Sequence, residues 1–164
     1  MEKLKPKKTT IKDIMKLGIE EARKTMKENL GGPFGAVIVK DGEVISVSSN
    51  HVLANNDPTA HGEVMAIREA CQKLGTYDLS GCELYATGYP CPMCLSAAIW
   101  ANIKKVYVCG MPEDAEEIGF RDDFIYRFIY DKMQDKDVLE IIPTDRKPAQ
   151  KLYAEYAKMN KTIY

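Results

Sequence analysis

The chain has 164 residues, of which 45% are hydrophobic and 29% are charged, which is the composition of an average folded domain and not of a disordered chain. Lysine and arginine number 23 against 24 acidic residues, so no overall positive charge would draw the chain onto nucleic acid. No apolar run approaches the length of a transmembrane helix, and five cysteines are too few for a disulfide scaffold.

The N-terminal segment predicts a solvated terminus and not a secretory leader. It carries Lys3, Lys5, Lys7 and Lys8 but no apolar stretch of the kind that a signal peptide contains. We therefore expect a cytoplasmic protein whose cysteines are reduced. Reduced cysteines at fixed spacing are more often metal ligands or catalytic groups than cross-links.

The first elements predicted along the chain are a helix and a hairpin. Apolar and small residues recur every three or four positions over residues 10–29, which is the spacing of one helix face. Two apolar runs, 34–40 and 44–47, flank Asp41 and Gly42. An Asp-Gly pair between apolar runs is the strongest short-range signal of a hairpin turn.

A loop and an alternation of helices and strands follow the hairpin. The polar residues 48–60 predict the loop, and helix, strand, helix and strand are predicted over residues 61–74, 83–87, 92–101 and 105–109. A strand–helix–strand unit pairs its strands in parallel through a right-handed crossover, in addition to the antiparallel hairpin. We therefore predict an α/β fold, with a mixed sheet that has helices on both faces.

The periodicity weakens in the last third of the chain. Short helices are predicted over residues 112–118 and 122–132, a strand over residues 138–142, and a final helix over residues 146–159.

Two short motifs at predicted helix starts carry chemistry. The first contains His61 and Glu63, and the second contains Cys91 and Cys94 with two residues between them. A catalytic zinc ion takes three protein ligands and leaves one position open for water, and one imidazole with two thiolates supplies these three ligands. The positive end of a helix also lowers the pKa of a thiol and favours the thiolate that binds metal. The pattern therefore predicts a zinc site at His61, Cys91 and Cys94.

Glu63 has a different predicted role from the three ligands. It lies two positions after His61, about 200° around a regular helix, so it is not expected to be a fourth ligand. A carboxylate near the metal can instead act as a proton shuttle. It would take a proton from the attacking water, pass it to a ring nitrogen of the substrate, and then protonate the departing amine.

The alternative interpretation is a closed zinc site in a non-catalytic interaction module. Such a site needs a fourth protein ligand, and the remaining histidine and cysteines are His51, Cys71, Cys82 and Cys109. None of them stands at a repeating ligand spacing, and we expect the three cysteines to be packing residues. Glu63 also counts against this alternative, because a structural site does not need a proton-transfer group.

The order His-x-Glu followed by Pro-Cys-x-x-Cys resembles the signature of the zinc-dependent cytidine and nucleobase deaminases. Residues 31–39, 55–61, 119–120 and 123–126 also resemble bacterial guanine deaminases, so the likeness extends over nearly the whole chain after about residue 12. It implies a three-layer cytidine-deaminase-like fold with a five-stranded mixed sheet, and a homodimer.

The resemblance also implies how the chain is divided. Residues 1–164 would form a single deaminase domain whose core covers about residues 10–118. Residues 119–164 would form a C-terminal helical lid that is exchanged between subunits, as a domain swap, and closes over the partner's active site. The implied substrate is a small nucleobase, and neither nucleic acid nor a membrane is an expected partner.

Five substrate-contacting residues follow from the resemblance alone. The asparagine that binds substrate falls on Asn50, the acidic residue that reads the amino edge of the purine falls on Asp122, and the terminal tyrosine falls on Tyr164. Phe34 and Trp100 fall on aromatic positions near the base.

Three positions depart from the pattern of the family. Gly62 replaces the usual alanine between the histidine and the glutamate, Tyr89 replaces the usual glutamate before Pro-Cys, and Arg121 replaces an acidic residue beside Asp122. None of the three is a ligand, so the zinc site and deamination are retained, while the choice of base stays open.

These inferences predict the hydrolytic deamination of guanine to xanthine and ammonia. The alternative enzyme acts on another amino-substituted base or nucleoside, such as cytosine, guanosine or adenosine in tRNA. A tRNA-editing enzyme should show a basic groove, and the balanced charge of the chain counts against it.

Overall fold

The computed structural model describes residues 9–164, and the N-terminal lysines that predict a solvated terminus lie outside the described residues. The chain divides into two compact units, one that ends at Asp122 and one that runs from Asp123 to Tyr164. The first unit contains α1 (Ile11–Lys27), β1 (Gly35–Lys40), β2 (Glu43–Ser49), α2 (Val52–Asn55), α3 (Gly62–Leu74), β3 (Cys82–Ala86), α4 (Pro92–Trp100), β4 (Lys105–Val108) and α5 (Pro112–Glu117).

The strands of the first unit form one mixed sheet in the order β2-β1-β3-β4. β1 and β2 pair antiparallel across Asp41 and Gly42, which both adopt the left-handed backbone conformation that a tight hairpin turn requires. β1 also pairs antiparallel with β3, and β3 pairs parallel with β4. The predicted hairpin and the predicted parallel strand–helix–strand unit are therefore both confirmed.

Successive side chains of β1 pack into cores on opposite faces of the sheet. Val37 packs with Ile14 of α1 on one face, whereas Ile38 joins Ala66 of α3 and Ala98 of α4 on the other. A strand that is covered on both faces is apolar along nearly its whole length, as β1 is up to its last residue, Lys40. The prediction of helices on both faces is confirmed.

α1 crosses the sheet at very close range. A Cβ atom at Gly35, the first residue of β1, would overlap the carbonyl oxygen of Gly18 on α1. The hydroxyl groups of Thr25 on α1 and Ser49 on β2 are hydrogen bonded, and both side chains are fully buried. These contacts fix α1 against the end of the sheet where Asn50 leaves β2.

A side-chain network from α3 ties the edge strand β2 to the helix. The ammonium group of Lys73 donates a hydrogen bond to the carbonyl of Ile45 (2.9 Å) and forms an ion pair with Glu69 (2.7 Å). Glu69 in turn accepts a hydrogen bond from the hydroxyl of Ser48 (2.7 Å).

The prediction of a strand over residues 138–142 is wrong, and within the described residues the sheet has four strands and not five. The apolar residues of this segment stand in two adjacent pairs and do not alternate, so they do not define one apolar face of a strand. Their side chains are exposed. The predicted loop 48–60 is also incomplete, because it contains the short helix α2.

The second unit contains α6 (Asp123–Tyr130) and α7 (Lys147–Ala157), close to the predicted bounds. The hydroxyl of Tyr156 donates a hydrogen bond to the carbonyl of Thr162 (3.2 Å), which ties the C-terminal residues to α7. Across residues 9–164, none of the helices has both the length and the apolar character needed to cross a membrane.

Candidate zinc site

Two helix starts bring the predicted metal ligands together. His61 immediately precedes α3 and Cys91 immediately precedes α4, each with the extended backbone of a helix-capping residue. Cys94 follows in the first turn of α4, where Pro92 occupies the first helical position. The Nδ1 atom of His61 lies 3.6 Å from the sulfur atoms of both Cys91 and Cys94, and the three ligand atoms all lie within 4.8 Å of one another.

The donor set suits a catalytic zinc ion. Cys94 is buried, whereas His61 and Cys91 are half-buried, so the cluster is partly accessible. In the described part of the chain, no fourth histidine, cysteine or acidic residue joins the cluster. Three protein ligands leave the open coordination position that distinguishes a catalytic zinc site from a closed structural one.

The three ligand atoms lie close enough together to shift one another's pKa values. Hydrogen bonding from Cys94 and His61 lowers the pKa of Cys91 to about 4. The same hydrogen bond, together with burial, raises the pKa of Cys94. Hydrogen bonding to Cys91 raises the pKa of His61. A divalent cation would supply the positive charge that lets both sulfur atoms ionise, so the donor chemistry fits zinc.

Glu63 lies in the first turn of α3, and its side chain is only 7% exposed. Burial raises the pKa of this carboxyl group, and the negative charge of Cys91 acts in the same direction. A hydrogen bond with Cys94 holds the carboxyl beside the cluster. Such a group holds a proton more firmly than an exposed glutamate does, which suits it to accept and return protons near neutral pH.

Asn50 is 6% exposed and is held by backbone groups. Its Oδ1 atom accepts hydrogen bonds from the N–H groups of Gly32 (3.3 Å) and Val52 (3.1 Å), and its own N–H donates to the carbonyl of Phe34 (2.9 Å). That same carbonyl would lie 3.0 Å from a Cβ atom at Gly62, at the start of α3. The backbone of Phe34 therefore packs against the helix start that positions the cluster, and Asn50 is hydrogen bonded to that backbone.

The other three predicted substrate residues are more exposed than Asn50. Asp122 is half-buried, and its charge contributes to the raised pKa of His61. Trp100 ends α4, about 13 Å along the helix from Cys91, and is 72% exposed. Tyr164 belongs to the second unit and is 81% exposed.

The other cysteines and His51 lie outside the cluster. Cys82 is buried in the core, and Cys71 packs against the same core, as predicted. The prediction that Cys109 packs in the core is wrong: β4 ends at Val108, and Cys109 is exposed where the chain leaves the sheet. The Nδ1 atom of His51 donates a hydrogen bond to the carbonyl of Ser49 (2.8 Å).

The sequence pattern of the cytidine and deoxycytidylate deaminase zinc-binding region matches residues 8–110. The chain belongs to this deaminase family. It is therefore a zinc-dependent hydrolase that acts on C–N bonds.

This deaminase is similar in sequence to two bacterial enzymes, and it is also similar in structure to the first of them. The guanine deaminase of Bacillus subtilis is 50% identical over 116 residues, which are 71% of this chain and 74% of that enzyme. The X-ray structure of guanine deaminase from Bacillus subtilis matches with a TM-score of 0.87 and 41% identity, covering 94% of this chain and 99% of that chain. The tRNA-specific adenosine deaminase of Aquifex aeolicus is 47% identical over 93 residues, which are 57% of this chain and 61% of that enzyme.

Two features of the deaminase site were missed by the sequence analysis. A Cβ atom at Gly31 would overlap both the side-chain and the main-chain oxygen atoms of Asn50, so only glycine leaves room for that side chain. The ring of Phe120 packs edge-to-face on the ring of Phe34, with ring centroids 5.0 Å apart. The sequence signals are the stretches 31–39 and 119–120, which carry the resemblance to the family but give Gly31 and Phe120 no individual role.

The structure gives a physical reason for one departure from the family pattern and describes the others. A Cβ atom at Gly62 would stand 3.4 Å from the backbone of Gly35 as well as 3.0 Å from the carbonyl of Phe34, so glycine relieves a tight contact between α3 and β1. Arg121 forms an ion pair with Glu116 (3.4 Å). Tyr89 is exposed, and nothing in the structure explains it.

Proposed function

We propose that this deaminase hydrolyses guanine to xanthine and ammonia. The observation that supports guanine most strongly is the extent of the structural match to the guanine deaminase of Bacillus subtilis. That match covers 94% of this chain, more than the first unit alone contains, and so extends into the unit that runs from Asp123 to Tyr164. The sequence match to the tRNA-specific adenosine deaminase of Aquifex aeolicus covers 57% of this chain.

In this proposal His61, Cys91 and Cys94 hold the zinc ion, which lowers the pKa of a coordinated water when it is bound. Glu63 accepts a proton from the attacking water and delivers it to a ring nitrogen of guanine. Glu63 then takes the second proton of that water from the hydroxyl group now bonded to the ring carbon and passes it to the amine, whose bond to the carbon breaks, so that water and guanine give xanthine and ammonia. The burial of Glu63 beside Cys94 supports this role.

We further propose that Asn50, Phe34 and Asp122 bind the base. The Oδ1 atom of Asn50 is occupied by two backbone donors, and no acceptor in the described chain takes a hydrogen bond from Nδ2. The Nδ2 group is therefore the part of Asn50 that is available to guanine. Phe34 provides an aromatic wall, and Asp122 reads the amino edge of the purine.

The second unit is proposed to act as a lid in a homodimer. Tyr130, Ile163 and Tyr164 of this unit are exposed apolar or aromatic side chains, as are Ile99 and Trp100 at the end of α4. A second copy of the chain could remove these apolar side chains from water, which would favour association. We propose that the two copies exchange their second units as a domain swap, which would bring Tyr164 to the partner's site and place Trp100 near a bound base.

The whole chain is proposed to work as one deaminase domain in the cytoplasm, with a small nucleobase and a second copy of itself as its partners. The second candidate function is the deamination of adenosine in tRNA, which the identity of 47% to the enzyme of Aquifex aeolicus favours. The balanced charge of the chain does not favour a polyanionic substrate.

A substrate panel tests the proposal. The purified, zinc-loaded deaminase is incubated separately with guanine, guanosine, cytosine, adenine and a tRNA, and the release of ammonia is measured for each. Release from guanine alone is expected. Release from cytosine alone would overturn the proposal, and release from tRNA would favour the second candidate. Enzyme stripped of zinc by a chelator, and the same sample with zinc restored, serve as matched controls.

A further inference from the structure

The ring of Phe34 is held at two of its edges by glycine residues. A Cβ atom at Gly32 would lie 3.1 Å from Cδ2 and Cε2 of Phe34. A Cβ atom at Gly88 would lie 3.1 Å from Cδ1 and 3.3 Å from Cε1, on the opposite edge of the ring. The ring therefore occupies a slot between two backbone segments, and a side chain on either of them would displace it.

Phe120 supports this ring in a third direction. The two rings are nearly perpendicular, at 88°, with centroids 5.0 Å apart, which is the preferred geometry of an edge-to-face aromatic pair. A Cβ atom at Gly32 would also lie 3.1 Å from Cζ of Phe120, so the same glycine makes room for both rings.

The segment 110–120, which leads from the sheet to Phe120, is fixed by hydrogen bonds near Phe120 and at its other end, near Gly110. At the near end, Gly119 adopts a left-handed conformation (φ 99°), and the N–H of Phe120 donates to the carbonyl of Ala115 in α5 (3.0 Å). At the far end, the N–H of Gly110 donates to the carbonyl of Thr87 (2.8 Å), directly before Gly88. After β4 the chain passes next to Gly88, which lines one edge of the slot. It then forms α5 and places the ring of Phe120 against the ring of Phe34.

We propose that Phe120 is a positioning residue for the deaminase reaction, because it holds the ring of Phe34 in the orientation that receives the base. The proposal rests on the role of Phe34 as an aromatic wall for the substrate. Phe120 acts through Phe34, so its removal is expected to weaken the recognition of the base more than the proton transfers.

A double-mutant cycle between the two rings tests the proposal. In the full-length, zinc-loaded enzyme, Phe120→Leu keeps apolar bulk but removes the edge-to-face pair. We expect it to lower kcat/KM for guanine about two- to tenfold, which is the range that such aromatic pairs contribute, mainly through a higher KM. In the Phe34→Leu background the same change should have almost no further effect, because the ring that Phe120 holds is already gone.

The controls separate positioning from general stability. Ile118→Ala removes an exposed apolar side chain two residues before Phe120 and is expected to leave both KM and kcat unchanged. A loss of equal size from Phe120→Leu in both backgrounds would overturn the proposal, since a merely structural role is additive. Unchanged KM in Phe120→Leu would overturn it as well. If Phe120→Leu does not fold, as judged by Tm and zinc content, Phe120→Met provides the same cycle with a longer side chain.

A failure of the positioning role of Phe120 can be distinguished from a failure of the proposed guanine deamination. If the wild-type enzyme releases no ammonia from guanine, guanine deamination fails. The cycle is then measured on whichever base or nucleoside of the panel is turned over, and the same coupling between Phe34 and Phe120 is expected. Additivity on that substrate would refute the positioning role independently.

Discussion

Glu63 is a buried carboxyl group, and it lies beside a cysteine of the zinc cluster. Glu63→Gln keeps the shape of the side chain and removes its ability to carry a proton. We expect zinc content to stay at one ion per chain and kcat to fall by at least about 10²-fold, the low end for general acid–base catalysis. Metal analysis and ammonia release measure the two quantities on the same sample.

Glu69→Gln is the matched control, because Glu69 also lies on α3 but faces Ser48 and Lys73 at the sheet edge. It should retain zinc and turnover. A Glu63→Gln enzyme with normal zinc and near-normal activity would remove Glu63 from the proton-shuttle role.

Tyr85 gives a prediction for alkaline pH. It is buried on β3 and stacks on Tyr107, with ring centroids 4.4 Å apart, and burial raises the pKa of Tyr85 to about 12, assisted by the charge of Glu83. An unfolded tyrosine ionises near pH 10, so the folded state binds the proton more firmly. The stabilisation is complete below about pH 10 and is lost as the pH rises towards 12.

Tyr85→Phe should therefore flatten the decline in the free energy of unfolding between pH 10 and 12 that the wild-type protein shows. Urea unfolding at a series of pH values measures this decline. Tyr77→Phe, at an exposed tyrosine, should leave the wild-type decline in place. A decline of wild-type slope in Tyr85→Phe would show that other groups cause it.

At this scale the sequence predicted the residues that share a motif but not those that meet only through the fold. His61, Cys91 and Cys94 were identified because ligand chemistry restricts residue type and spacing, and the structure groups them. Phe120 and Gly31 carry no such restriction, since their partners lie far away in the sequence. Cys109 was misplaced because a strand pattern does not mark the residue at which the strand ends.

At the scale of elements, the crossing of α1 over β1 depends on Gly18 and Gly35. A Cβ atom at Gly35 would meet the carbonyl group of Gly18, which is backbone and cannot move aside as a flexible side chain could. Gly35→Ala should destabilise the fold by about 1–3 kcal/mol, the usual cost of overpacking, as measured by urea unfolding.

Gly81→Asn is the control for this substitution. Gly81 has nothing within 4 Å of a Cβ atom, and asparagine tolerates its left-handed backbone (φ 82°). This variant should stay within about 0.5 kcal/mol of wild type. Equal stability of Gly35→Ala and wild type would show that α1 can shift away from the sheet at little cost.

The hairpin and the parallel unit were predictable because each depends on local signals, a turn dipeptide and alternating elements. The prediction of a fifth strand was wrong for a physical reason. Residues 138–142 are apolar, but a strand exists only where a neighbour accepts its hydrogen bonds, and apolar content alone does not identify that neighbour.

At the scale of the whole molecule, the proposed lid makes a prediction about the C-terminus. Deletion of residues 161–164 removes Tyr164, together with the hydrogen bond that the hydroxyl of Tyr156 donates to the carbonyl of Thr162. KM for guanine should rise several-fold or activity should be lost, while Tm and zinc content stay at wild-type values because the deleted residues are exposed. Lys161→Ala, which retains Tyr164, should behave as wild type. Unchanged kinetics in the deletion variant would remove Tyr164 from the site.

The oligomeric state is measured separately, by light scattering on the full chain. The proposed exchange of lids requires a dimer, in which the exposed apolar side chains of both units could be removed from water. A monomer with full activity towards guanine would leave the proposed reaction intact and refute the exchanged lid.

The contact between Lys73 and Ile45 bears on how copies of this protein can associate. An edge strand with free backbone groups invites a second sheet to continue it. Here the carbonyl of Ile45 is occupied by an ammonium group that also neutralises Glu69. A strand that arrived at β2 would have to displace that charge, so assembly should proceed through helices and side chains, and fibrous extension of the sheet from this margin is disfavoured.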